Sequence, residues 1–179
     1  ESKNRLKELI LLAKAGDNSA FEEVYNSYYT PLFRYILVRL KDKQEAEDMT
    51  QTVFMKIWAS IPSWNTDHTS PLSFFFTVAR NTLIDYFRKG SHKEIVSDEI
   101  VFKFSEENGA SEESSSRELK EVLLSAVSKL SEEQQEIIRL YYTNDLTYKE
   151  IASITGKRED AVRQIHSRAI KRLRELYKY

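Results

Sequence analysis

The sequence predicts an all-α protein of two small helical domains joined by a flexible acidic linker. Apolar residues recur at helical spacing through nearly the whole chain, and no stretch alternates with the period of two expected of strands. Only four Gly and three Pro punctuate 179 residues rich in Leu, Ile, Glu, Lys and Arg, all of which favour helices. One segment, Ser105–Ser116, holds only Ser, Glu, Asn, Gly and a single Ala, and it separates the two periodic parts.

Taken in order, Leu6, Leu9, Ile10 and Ala13 predict a first helix, which Gly16 and Asp17 interrupt. Phe21, Val24, Tyr25, Tyr28, Leu32, Ile36 and Leu40 predict a longer second one. Pro31 lies inside it, where a missing N–H and a bulky ring favour a kink. Ala46, Met49, Val53 and Ile57 mark a third helix, Ile61–Pro71 a loop, and Leu72, Phe75, Phe76, Ala79, Leu83 and Tyr86 a fourth. Residues 1–90 therefore read as a helical bundle. Residues 91–116 read as a linker, because its polar run cannot bury enough apolar surface to offset its ordering entropy. In residues 117–179, Leu119, Val122, Leu123, Ala126 and Leu130 restore the stripe. Ser131 with Gln134, and Thr147 with Glu150, are spaced as capping boxes that start new helices. A short helix is expected to end near Thr155, and a last one to run from about Arg158 to Tyr177.

The net charge of −1 conceals a gradient. Residues 90–116 carry two basic and seven acidic side chains, whereas residues 157–179 carry eight basic and three acidic. A basic C-terminal helix is the electrostatic footprint of a nucleic-acid partner. The absence of cysteine excludes disulfides and thiolate metal sites and fits a cytoplasmic protein. No apolar run approaches the roughly 20 residues needed to cross a bilayer, so no membrane insertion is expected. His68, His92 and His166 lie far apart without metal-ligand spacing, and there is no Gly-rich phosphate loop. No nucleophile is paired with a base, so neither catalytic residues, a cofactor nor a small-molecule substrate is expected.

The most specific pattern spans Thr147–Leu173. A helix-turn-helix needs a small residue where its two helices cross, a tight turn, and branched residues that pack the second helix on the first. Ala152, Gly156, Val162 and Ile165 meet those needs at the right offsets, and Ile151 and Ile154 supply the core of the first helix. The second helix then presents Arg163, Gln164, Ser167, Arg168 and Lys171. Arg and Gln suit base edges in the major groove, and Ser and Lys suit phosphates. A solvated basic face would be the plainer reading of a charge run alone; the adjoining Ala–Gly–Val–Ile core favours DNA. His166 falls at an inward position and is expected to be packed rather than a ligand.

Together these segments resemble the extracytoplasmic-function (ECF) group of the sigma-70 family. The resemblance is carried by Ala15-Gly16-Asp17 with Ala20-Phe21, by Ala46-Glu47-Asp48-Met49-Thr50-Gln51-Thr52-Val53-Phe54 with Trp58, and by Ala79 through Arg88. In the C-terminal part it is carried by Leu146 through Ala152 and by Arg172-Leu173-Arg174-Glu175. It implies that the first domain is sigma-2-like, holding the clamp of core RNA polymerase and opening the −10 promoter element. It implies that the second is sigma-4-like, reading the −35 element and resting on the polymerase flap. An anti-sigma factor is an implied partner as well.

The same resemblance assigns Asp48, Gln51, Thr52 and Met55, on the third helix opposite its core stripe, to the clamp; Thr52 stands where the family often carries Glu. It assigns Trp64 and Asn65 in the preceding loop, with Arg80, Asn81 and Arg88 on the fourth helix, to the −10 element. There Trp64 would stack on a freed base, worth roughly 1–3 kcal/mol, and Asn65 would hydrogen-bond it. Phe74, Phe75 and Phe76 are read as core, and Asp85 as a local partner of Arg88 or Arg80. The acidic linker is either a solvated tether or a mimic of nucleic acid in the polymerase channel. The competing function is a conventional helix-turn-helix regulator that binds operator DNA without polymerase, usually as a dimer.

Overall fold

The computed structural model describes residues 2–40, 42–65, 70–90, 122, 125–144 and 146–177, and the acidic linker expected over 91–116 lies outside them. Among the described residues there is no strand. Helix α1 (Ser2–Lys14) buries Leu6, Leu9, Ile10 and Ala13. It stops at Gly16, whose φ of 99° is one that L side chains rarely adopt, and Asp17 then caps α2 (Asn18–Leu37) by accepting from the amides of Ser19 and Ala20. Helix α2 continues through Pro31 and ends at Leu37, so Leu40, expected on its stripe, is buried beyond it.

Asp42 caps α3 (Lys43–Ser60) through the amides of Gln44 and Glu45. The expected loop after it begins as a 3-10 turn, Ile61–Ser63, and ends at Ser70, which caps α4 (Pro71–Lys89); Pro71 occupies the first turn, where no amide partner is needed. Aromatic rings fill the space between these helices. Phe54 lies 4.6 Å from Tyr25 and edge-on to Phe21, and Phe76 meets Tyr35 edge-on at 5.3 Å.

In the C-terminal part, residues 125–128 are helical and Ser131 and Gln134 close the expected capping box ahead of α5 (Glu132–Asn144). Thr147 and Glu150 form the second box at the start of α6 (Tyr148–Thr155). Gly156 turns left-handed (φ 69°) and α7 (Glu159–Tyr177) follows. The two helices pack on each other, burying Ile151, Ala152, Ile154 and Val162, with Ile165 half-buried beside them. This is the helix-turn-helix geometry that the residue offsets predict.

The two parts pack on each other. Helix α4 lies against α6, and α2 against α5. Ile137, Leu140, Ile151, Ile154 and Val162 join one continuous core with the N-terminal bundle. Val38, at the end of α2, joins a second cluster with Ala126, Ile138, Ala169 and Leu173. Charge is buried along the seam. Glu136 on α5 accepts from Arg80 on α4 at 2.7 and 3.1 Å and lies 4.0 Å from Arg39. Arg39 also donates to Tyr35 and lies over the Phe87 ring. Arg139 is 1% exposed, and burial, helped by the neighbouring Arg39 charge, lowers its pKa to about 10, so it stays cationic at neutral pH.

Candidate nucleic-acid and protein interfaces

Helix α7 has two distinct sides. Val162, His166, Ala169 and Leu173 are buried, a spacing of four, three and four that keeps one side inward. Arg163, Gln164, Ser167, Arg168 and Lys171 are all exposed on the other. The structure thus gathers the five residues expected to contact −35 DNA on one helix face. Arg163 is bound by Glu159 at 2.7 Å, and its guanidinium lies 4.8 Å from the centre of the Tyr148 ring on α6. Tyr148 was not a sequence-derived candidate. It approaches α7 across the turn, a relation with no periodic signal.

His166 is packed as expected, 9% exposed. Its Nδ1 is 3.0 Å from the Tyr148 hydroxyl, and the Tyr141 and Tyr142 rings surround it at 4.5 and 5.8 Å. Burial lowers its pKa. The unfolded chain takes up a proton near pH 6.5 while the folded ring still resists, so His166 makes stability fall as pH drops below about 6.5 and level off once the folded ring is charged. The midpoint of thermal unfolding is expected to fall between pH 7.5 and 5.5, and to fall less in His166→Phe. An equal fall in both proteins would show that His166 is not the group responsible.

Helix α3 is similarly divided. Ala46, Thr50, Val53, Phe54 and Ile57 are buried, and Asp48, Gln51, Thr52 and Met55 are exposed. Met55 is 72% exposed, which for a thioether side chain on a rigid helix marks a surface suited to a protein partner. Beside it Trp58, 41% exposed, rests on Phe21 and extends this apolar surface. Thr52 returns its hydroxyl to the Asp48 carbonyl at 3.0 Å, leaving the outward edge to Asp48 and Gln51.

The third candidate set is dispersed. Trp64 is 8% exposed and stacks on Phe74 at 5.1 Å, while Lys14 donates to its carbonyl. This corrects the expectation of a stacking platform: the indole belongs to the core, because the 3-10 turn folds it back onto α4. Phe75 and Phe76 are buried as expected, and Phe74 is half-buried beneath the indole. Asn65, Asn81 and Arg88 are exposed, and Arg88 is paired with Asp85 at 3.0 Å as expected. Arg80, expected on the surface, is half-buried in its bidentate pair with Glu136. Phe74 and Arg88 lie fourteen residues apart on α4, about 21 Å along its axis, so these groups make a track rather than a pocket.

Among the described residues no group of three His, Cys, Asp or Glu could hold a metal ion, and no helix is long and apolar enough to cross a membrane.

Comparison with known proteins matches residues 24–93 to the family model for sigma-70 region 2 and residues 126–175 to that for sigma-70 region 4. The ECF RNA polymerase sigma factor SigM of Bacillus subtilis (strain 168) is 35% identical over 87% of this chain and 94% of its own length. Among solved structures, CnrH in complex with the cytosolic domain of CnrY has a TM-score of 0.71 at 18% identity, covering 97% of each chain. The sigma factor RpoE in complex with the anti-sigma factor NepR from Bartonella quintana has a TM-score of 0.62 at 25% identity, covering 88% of this chain and 96% of that one.

Proposed function

Because the chain belongs to the ECF sigma factors of the sigma-70 family, we propose that it binds core RNA polymerase, recognises promoter −35 and −10 elements and promotes DNA opening at transcription initiation. The observation that carries this reading is the pair of exposed faces on two domains in the family's order: the Asp48–Met55 face of α3 and the Arg163–Lys171 face of α7. Residues 1–90 form the polymerase-binding and −10 domain, and residues 117–179 the −35 domain that rests on the flap. Asp48, Gln51, Thr52 and Met55 meet the clamp. Arg163 and Gln164 read −35 bases, while Ser167, Arg168 and Lys171 hold phosphates. Asn65, Asn81 and Arg88 follow the −10 strand, joined by Arg80 once its pair with Glu136 opens.

The protein acts in the cytoplasm as a recognition factor, and the polymerase supplies the chemistry. An anti-sigma factor is its regulatory partner, a reading supported by the RpoE–NepR complex among the structural relatives. Alone it binds DNA weakly, because counterion release by basic groups supplies most non-specific affinity and its net charge is −1.

The test is a pull-down on core polymerase followed by run-off transcription on a promoter library. Wild-type protein is expected to bind and to give promoter-dependent transcripts. Asp48→Ala with Gln51→Ala is expected to weaken polymerase binding about tenfold or more, the range of a central interface pair, while duplex DNA binding is retained. Unaltered polymerase affinity in the double variant would remove the clamp assignment. Failure of the wild type to bind polymerase, with duplex binding intact, would favour an operator-binding regulator.

A further inference from the structure

An arginine that reads a base must hold its flat guanidinium edge-on to the groove, because two parallel N–H donors have to meet two acceptors at once. An exposed arginine on a helix does not do this unaided; its long side chain samples many rotamers. Arg163 is held. Glu159, one turn earlier on α7, binds one of its amino nitrogens at 2.7 Å. The ring of Tyr148, from the other helix of the pair, underlies the guanidinium plane at 4.8 Å.

The ring itself is fixed. Tyr141 stacks on it at 5.2 Å with the planes 20° apart. The hydroxyl is tied to Nδ1 of the buried His166 at 3.0 Å. Tyr148 is therefore anchored by its hydroxyl and by a stacked neighbour, and its ring carries the arginine.

Resting on the reading of α7 as the −35-contacting helix, we infer that Tyr148 is a specificity-setting positioning residue. Its ring holds Arg163 in the orientation from which the guanidinium engages the O6 and N7 edge of a guanine in the −35 element. Tyr141 and His166 act through Tyr148 by keeping the ring in place. Arg163 gains discrimination because its side chain is ordered before DNA arrives, and a guanine then receives two hydrogen bonds that another base does not offer.

The experiment uses holoenzyme reconstituted from core polymerase and the full chain, bound competitively to a library of promoters randomised across the −35 element. Arg163→Ala is expected to abolish guanine preference at one position. Tyr148→Leu is expected to reduce that same preference about two- to fivefold, the range of an exposed cation–π contact. Tyr148→Phe, which keeps the ring, is expected to retain most of it. With Arg163 already replaced by Ala, Tyr148→Leu should add no change in preference. A uniform loss across all −35 sequences, or an effect of Tyr148→Leu that persists without Arg163, would show a merely structural tyrosine and overturn the inference. If Arg163→Ala shifts no base preference, the underlying assignment of Arg163 as a base reader fails instead, and the inference with it.

Discussion

Glu136→Ala is expected to separate the two halves of the molecule. This one carboxylate receives both donors of Arg80 and lies 4.0 Å from Arg39, with the buried Arg139 one turn away on the same helix. The hydrogen bond to Glu136 is also the main reason that the Arg80 pKa is raised. Without the carboxylate, three guanidinium groups would repel one another across a seam of low dielectric. Removing one partner from a buried ion pair costs ~3–5 kcal/mol. Glu136 and Arg80 keep 13% and 24% of their side chains exposed, so water screening places the loss near the lower end, about 3 kcal/mol. Small-angle scattering is expected to show an increased radius of gyration, and Arg80 would become accessible to DNA. A scattering curve identical to wild type would show that the apolar seam of Val38, Ile137 and Ile154 holds the halves together alone. In the docked arrangement the α3 and α7 faces stay exposed while Arg80 is engaged.

Phe54→Ala is expected to cost ~3–5 kcal/mol and to abolish polymerase binding without altering any residue of the proposed clamp face. Phe54 is 3% exposed and fills the space between α2 and α3, touching the Tyr25, Tyr29 and Phe21 rings. It points inward from the same two turns of α3 that present Asp48, Gln51 and Met55 outward. A ring-sized void there loosens the helix on which the contact surface depends. Phe54→Leu keeps most of the volume and is expected to cost under about 1.5 kcal/mol and to retain binding. Chemical denaturation and a polymerase pull-down on both variants check this. Undiminished polymerase affinity in Phe54→Ala, with the domain measurably destabilised, would place the contact away from α3.

The elements were legible in the sequence because their signals are local. Ser131 and Thr147 cap the helices that follow them through the amides three residues on. The apolar stripes of α3 and α7 mark which sides turn inward, and the opposite sides, with Asp48, Gln51, Thr52 and Met55 on α3 and Arg163, Gln164, Ser167, Arg168 and Lys171 on α7, are exposed. The helix-turn-helix was readable for the same reason: Ala152, Gly156 and Val162 act within a short span, and only a few residue types fit their positions.

What the sequence alone determined was therefore the helices, two of their caps, and the buried and exposed sides of α3 and α7. Tertiary structure decided what covers each side. Trp64 looked available for stacking on DNA, but the turn after α3 lays it on Phe74. Arg80 looked exposed, but its partner Glu136 lies 56 residues on. Tyr148 gave no sign that it would underlie Arg163. The physical reason is common to all three. Helical periodicity reports which side of a helix is apolar and is blind to the element brought against it. A half-polar residue such as Trp, Tyr or Arg can satisfy its chemistry against solvent, DNA or another part of the chain, and packing chooses among them.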